Sequence, residues 1–451
     1  MTGSVAAGPG GGGTDRIRAV GVFVWAIAAA FFLYEFFLRT FFGSLEPQIM
    51  KSLQLNAATF SVLGSCYYLT YGLMQIPVGI IVDRFGVKAT TVFAASVCGA
   101  SALLFAAAQG FALGLAARLL MGFGSSFAFI ILLVIAREWF PRKNFGLFAG
   151  LSQFVGTLGP ILAGGPLVLV ITREHVDWRV IISGLGFAGF VIAVLGLLFV
   201  RGRKSDDPDR LRLLLPRLGV GQQVKMLLKN RQAWFVALYS ALIYTSIATL
   251  GAIWGTRVLI AKGLTQETAG DAVSVLWIGY AVGCPLAGFL SDTLRRRRSV
   301  LVGMALLAFL ATGSLRVFEE GGLPLFGTIF FVIGFAGGAQ NVGFATIVEK
   351  VTDRLSATSM GLNNGLMLLF DTVNPVIFGL LVTITLKDKD TENFTAENFD
   401  WALAYIPGLC LVALLVSVFL IRETYCKPQQ DVVLLDPSEG DRGTPAPAPE
   451  R

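Results

Sequence analysis

Glu35 and Arg39 stand four residues apart in the apolar, aromatic stretch FLYEFFLRTFF, Phe31 to Phe41. That spacing puts an acid and a base on one face of a helix, close enough to pair. A carboxyl beside a guanidinium can exchange a proton with its surroundings, and the guanidinium can hold a carboxylate or phosphate of another molecule. Three further charges interrupt apolar runs: Arg118 in RLLMGFG, Arg316 in GSLRVFEE and Asp371 in LMLLFDTVNPVIFG. What any of them does depends on the solvent around it.

Composition settles the solvent. Of 451 residues, 55% are hydrophobic and 14% charged, with a mean hydropathy of +0.70, whereas soluble domains are about a quarter charged. A bilayer core of about 30 Å needs roughly 20 apolar residues per helical crossing. Twelve runs meet that length: 20–42, 59–82, 90–108, 111–136, 145–172, 180–200, 233–256, 272–290, 300–318, 323–348, 359–386 and 401–421. Continuous runs such as FAFIILLVIA do not alternate as barrel strands must. The fold class is therefore all-α, a multi-pass membrane protein of twelve transmembrane helices.

Of the 36 Lys and Arg, 26 fall on the side of the N-terminal tail, 8 on the other, and Arg39 and Arg118 lie within runs. Positive charge stays inside, so both termini are expected in the cytoplasm. The net charge of +7 is accounted for by these anchors, without nucleic acid as a partner. Five cysteines show no CxxC spacing, and His175 is the only histidine. No disulfide framework, metal, cofactor or His-based hydrolase chemistry is expected, and the chain reads as no enzyme.

In hydrocarbon each charge costs about 2.5–3.5 kcal/mol and marks a pathway or relay. Arg316 is close enough to the end of its run to snorkel to the surface. Glu35 and Arg118 each lie seven residues from the same boundary, about 10 Å deep at about 1.5 Å per residue. The shared depth gives two readings. In one, Glu35 exchanges a proton, balanced by Arg39 or Arg118, while Arg118 binds a substrate carboxylate. In the other, the charges are a permanent ion pair fixing the helices. Asp371 is a second protonation candidate, or else bonds backbone groups freed near Asn374 and Pro375. Tyr34, Tyr67, Tyr71, Gln75, Trp254, Gln340 and Asn341 are further polar candidates for a cavity.

The chain divides into a tail (1–19), six runs (20–200), a polar connection (201–231), six more runs (232–422) and a Pro-rich tail (423–451). After the second run comes GIIVDRFGVK, with Gly79, Asp83, Arg84, Gly86 and Lys88; after the eighth comes GFLSDTLRRRR, with Gly288, Asp292 and Arg295 to Arg298. The two glycines would let helices approach closely. The acids, followed by cations, would form a lock that breaks when the halves move.

This pattern resembles the major facilitator superfamily: twelve spans in two sets of six, the GIIVDRFGVK loop with its degenerate copy, RLLMGFG opening the fourth span, REWFPRKNFGLFAG after it, and GTLGPILAGGP in the fifth. The resemblance covers 20–421. It implies two six-helix bundles around a cavity lined by the first, fourth, seventh and tenth spans, opening alternately to either side. Arg137 and Glu138, ending the fourth span, would close the cytoplasmic gate, Arg137 pairing Asp83. MQIPVGIIVDRFG with REWFPRKNFGLFAGLSQFVGTLGP is most similar to bacterial organic anion:cation symporters, which commonly carry adjacent Asp-Arg in the first span; here Glu35 and Arg39 are four apart. The expected function is secondary transport of a small organic anion, coupled to protons, by a monomer in a bacterial inner membrane. Proton-antiport efflux, transport of short peptides or other zwitterions, and a non-transporting receptor or scaffold are the alternatives.

Overall fold

The structure is a computed structural model that describes residues 19–140, 145–201, 220–351, 355–385 and 394–427. Without water to satisfy them, backbone amides in a bilayer must bond within their own segment. The described residues accordingly form helices and no strand. Eleven of these helices are long and apolar enough to cross a membrane, among them 111–136, the boundaries expected from sequence. The twelfth crossing is hidden in Ala57–Ala106, a 50-residue helix, about 75 Å long and too long for one passage. It breaks at Gly86 (φ 79°, ψ 161°), a conformation that suits only glycine. The piece before the break is less apolar because it carries Tyr67, Tyr68, Tyr71 and Gln75.

Three of the four spans expected to line the cavity are discontinuous. The fourth divides into Phe111–Ser125 and Ala128–Trp139. The seventh passes through a π segment, Ile247–Trp254, and the tenth divides at Gly338 into Leu323–Gly337 and Ala339–Glu349. Irregular backbone at membrane depth is tolerated where protein or a cavity surrounds it. Two short helices were not foreseen: Glu46–Leu53 after the first span, and Val220–Lys229 within the connection. The remainder of that connection and most of both tails lie outside the described residues.

The twelve spans form two bundles, and the described contacts between them concentrate on the side away from the N-terminal tail, here called the far side. The second span lies along the eleventh, the fifth along the eighth, and the first along the seventh. Gln48 and Gln266 exchange amide bonds at 2.8 and 2.9 Å, and Thr172 donates to Glu267 at 2.7 Å. Ser274 donates to the Ile161 carbonyl at 2.7 Å and accepts from the Gly165 amide at 2.8 Å. Glu46 and Arg257 approach to 3.7 Å, and Arg257 also stacks on Phe394 at 4.6 Å.

Gly43 makes the tightest crossing of first and seventh spans. A Cβ there would sit 2.5 Å from the Ala252 carbonyl oxygen and 2.7 Å from Ile253 Cα, atoms of backbone that cannot turn aside. Gly43→Val therefore wedges the far side open while leaving each bundle's own packing intact. Uptake into proteoliposomes should fall at least about tenfold, with unchanged yield and monodispersity. A cysteine introduced as Phe42→Cys should become reactive toward a maleimide added on the far side. Normal turnover in the valine variant would show that this closure plays no part in the cycle.

The loop glycines differ from expectation. A Cβ on Gly79 or Gly288 would meet nothing within 4 Å, because these tail-side ends of the second and eighth spans are not where the bundles press together.

Candidate functional site

The first span delivers Glu35 and Arg39 to the middle of the molecule, on a face that also carries Phe32, Phe36 and Phe42. Arg39 gives two N–H groups, Nε (3.1 Å) and Nη2, to a single oxygen of Glu35, and the same oxygen accepts from the Tyr67 hydroxyl at 2.9 Å. Both side chains are buried, Glu35 completely. The guanidinium lies between aromatic faces, 4.4 Å from Phe36 and 4.7 Å from Tyr71, with Tyr68 and Tyr67 at 5.9 and 6.0 Å. Such contacts hold a desolvated cation. A guanidinium has five N–H donors, and Glu35 takes two.

Arg118 does not join this pair. It is fully buried, and its guanidinium donates to the carbonyls of Leu38 (2.9 Å), Gly64 (3.3 Å) and Leu63 (3.4 Å). Phe42 and Tyr67 cover it at 4.8 Å each. Tyr67 therefore stands between the two groups, its hydroxyl on Glu35 and its ring against Arg118. Equal depth in the bilayer does not imply contact, since depth leaves the direction around each helix open. The geometry has Arg118 tying the fourth span to the first and second.

Asp371 faces the interior of the opposite half. It is buried, and neither carboxylate oxygen has a hydrogen-bond partner among the described residues. The backbone role considered from sequence belongs to Asn374, whose amide donates to the Phe370 carbonyl at 2.8 Å and whose oxygen accepts from Tyr405. Pro375 frees the carbonyl four residues back, that of Asp371 itself, so at the Phe370 carbonyl the Asn374 amide is an additional donor. An amide can donate to a carbonyl and an ionised carboxylate cannot. Among the described residues Arg39, across the interface between halves, is the cation within electrostatic reach of Asp371, and Tyr68 and Tyr244 lie in the same field.

The other expected cavity residues separate into two groups. Tyr71, Gln75 and Gln340 belong to the site. Gln75 accepts from Asn364 of the other half at 3.2 Å; Gln340 donates to the Tyr280 hydroxyl and leaves its own oxygen unpartnered. Tyr280 packs on Tyr244 and Trp277 at 5.9 and 5.8 Å, and Trp277 reaches Phe36 beneath Arg39 at 6.5 Å. Tyr34 turns away from the site and donates to the Leu185 carbonyl at 2.9 Å, inside its own bundle. Trp254 belongs to the far-side closure, where it donates to Ser61 (3.2 Å) and the Pro375 carbonyl (3.4 Å) amid Phe60, Phe378 and Phe399. Asn341 is half-buried at the start of the second helix of its span.

Sequence reasoning passed over Tyr68, Tyr244, Trp277 and Tyr280. The signal was available only faintly, as phenols recurring within otherwise apolar runs.

At the tail side, the expected Asp83–Arg137 pairing falls on side chains outside the description. Arg84 and Lys88 are exposed, and Glu138 is half-buried. In the second half Asp292 pairs with Arg297 at 2.5 Å, and Arg297 reaches Glu349 at 3.0 Å. Arg295 ends the eighth span in a left-handed conformation (φ 51°) and is exposed.

A family model described as Major Facilitator Superfamily matches residues 27–260 and 240–433. The membrane sensor protein UhpC of Escherichia coli is 25% identical over 341 residues, 69% of this chain and 73% of the relative. A hexuronate transporter of Bacillus subtilis is 23% identical over 409 residues, 86% and 92% of the two chains. Among solved structures, a bacterial homolog of the human lysosomal transporter Spinster, in an inward-facing and unoccupied conformation, superposes with a TM-score of 0.74 at 17% identity, covering 89% of this chain and 96% of that one.

Proposed function

The chain belongs to the major facilitator superfamily, and from that premise we propose that it is a secondary transporter carrying a small organic anion together with a proton. The observation that carries this reading is Arg39: a guanidinium buried where the halves meet, aimed by Glu35, flanked by four aromatic rings, with donors beyond the two that Glu35 takes. A planar fork of N–H groups matches a carboxylate in both geometry and charge. The desolvated surroundings strengthen that attraction well beyond its worth in water. The hexuronate specificity in the name of the Bacillus subtilis relative points to a sugar acid as the first anion to try.

Access follows from the same architecture. With the Lys/Arg-rich tail side in the cytoplasm, the closed far side faces outward. Rocking about Arg39 and Asp371 would break the Glu46–Arg257 approach and the Gln48–Gln266 bonds, and bring the Asp83 and Asp292 loops together.

The test pairs binding with movement. Purified protein is heated with D-glucuronate, D-galacturonate, dialanine or tetraphenylphosphonium, and radiolabelled uptake is then measured in proteoliposomes under an inward proton gradient. A ligand at a hundredfold its Kd stabilises the folded state by about 2.7 kcal/mol. A sugar acid should raise the melting temperature and accumulate only with the gradient. Stabilisation by dialanine alone would move the reading to zwitterions, and by the lipophilic cation alone to efflux. A sugar acid that stabilises the protein without being taken up would support a sensor instead.

A further inference from the structure

We propose that Asp371, rather than Glu35, takes up the proton that travels with the anion, and that Glu35 is the positioning residue for Arg39. The inference rests on the transport reading above and assigns its proton.

Around the meeting point of the halves, four side chains that carry charge at neutral pH are buried within the membrane among the described residues: Glu35 and Asp371 against Arg39 and Arg118. They balance. An arriving carboxylate leaves one surplus negative charge in a medium where a buried unpaired charge is not sustained. One proton restores neutrality, and it must land on one of the two acids.

The hydrogen bonding of the acids decides between them. One oxygen of Glu35 collects three donors, two from Arg39 and one from Tyr67, and that arrangement requires an acceptor. The other oxygen of Glu35 has no partner among the described residues; a proton there would leave the three-donor oxygen an acceptor but strip Arg39 of its charged partner, weakening the charge-assisted bonds that aim the guanidinium. Asp371 has no donor on either oxygen among the described residues. The groups within electrostatic reach of it are Arg39 from the first span, Tyr68 from the second and Tyr244 from the seventh, with Asn374 and its partner Tyr405 one turn away. Of these only Arg39 is a cation, and a substrate carboxylate bound to Arg39 competes for the very charge that offsets Asp371. Anion binding and protonation are thereby linked: the carboxylate engages Arg39, Asp371 loses its counter-charge, and a proton converts it to a neutral acid that can cross with the moving halves. Release of the anion restores the Arg39 charge to the field at Asp371, and the proton departs.

The experiment uses full-length protein in proteoliposomes loaded with the pH dye pyranine, with D-galacturonate outside. Wild type should acidify the lumen as the anion enters. Asp371→Asn should keep anion counterflow yet lose both acidification and gradient-driven accumulation. Glu35→Gln should weaken half-saturation at least about tenfold while its residual transport keeps the wild-type pH profile. A positioning role predicts that split, and a proton-carrying role does not. Gradient-driven accumulation by Asp371→Asn would overturn the proposal, as would loss of coupling at unchanged affinity in Glu35→Gln. Should Asp371→Asn not fold, infrared difference spectra of wild type decide: galacturonate should raise a carboxylic-acid C=O band that shifts on ¹³C-aspartate labelling, and a shift on ¹³C-glutamate alone would overturn the assignment. If wild type takes up no anion, the transport reading itself fails; if it takes up the anion without acidification, that reading keeps its anion and this inference falls.

Discussion

Arg39→Ala should abolish binding of the organic anion proposed as cargo while the protein remains a folded membrane bundle. Removing the charged partner of a buried carboxylate group typically costs 2–5 kcal/mol or more of affinity, at least about thirtyfold in Kd. Sugar-acid stabilisation in the melting assay and proteoliposome uptake should both fall to background. The single substitution also leaves Glu35 fully buried beside an empty space, and an orphaned buried charge costs about 3–5 kcal/mol of stability. Lower yield alone would therefore prove little. The control is the double variant Arg39→Met with Glu35→Gln, which removes both charges while keeping side-chain volume and the contacts with Phe36 and Tyr71. It should melt near wild type and still fail to bind. Arg39→Lys separates charge from shape: an ammonium keeps the charge but cannot present a planar fork or lie flat between two rings, so affinity should fall although net charge is unchanged. Wild-type affinity in the double variant would remove Arg39 from the site.

The spans were legible because a bilayer demands length and apolarity, and both are written in order along the chain. The helix over 111–136 was read with its boundaries intact, and the 50-residue helix was correctly divided because Asp83, Arg84 and Gly86 punctuate it. The Glu35–Arg39 pair was legible too, since a separation of four residues fixes both depth and direction on one helix. Directions between helices were less legible, and not every residue named for the cavity reaches it. Glu35 and Arg118 share a depth, yet Tyr67 stands between them. Tyr34 adjoins Glu35 in sequence and so points about 100° away, toward the sixth span. Gln75 finds Asn364, 289 residues distant. Nor could hydropathy reveal which ends of the bundles press together, because a surface facing lipid and one facing another helix are equally apolar.

Arg118→Ala should be the most destabilising single change in the first bundle. The guanidinium is fully buried and gives charge-assisted bonds to three carbonyls on two neighbouring spans, each worth about 1.5–3 kcal/mol. Truncation also empties the volume between Phe42 and Tyr67, so a loss of several kcal/mol is expected, read as a large fall in melting temperature and yield. Arg118→Met distinguishes this anchoring role from substrate binding. The three carbonyls already accept within their own helices, so they are not stranded, and a flexible apolar side chain of similar length can refill the space between the rings. Replacing buried charge with well-packed apolar groups is often neutral or stabilising. Arg118→Met should therefore recover most of the stability lost in Arg118→Ala and still be stabilised by the sugar acid that wild type binds. A methionine variant that melts like wild type but ignores the ligand would return Arg118 to the substrate and make Arg39 its partner instead of the principal grip.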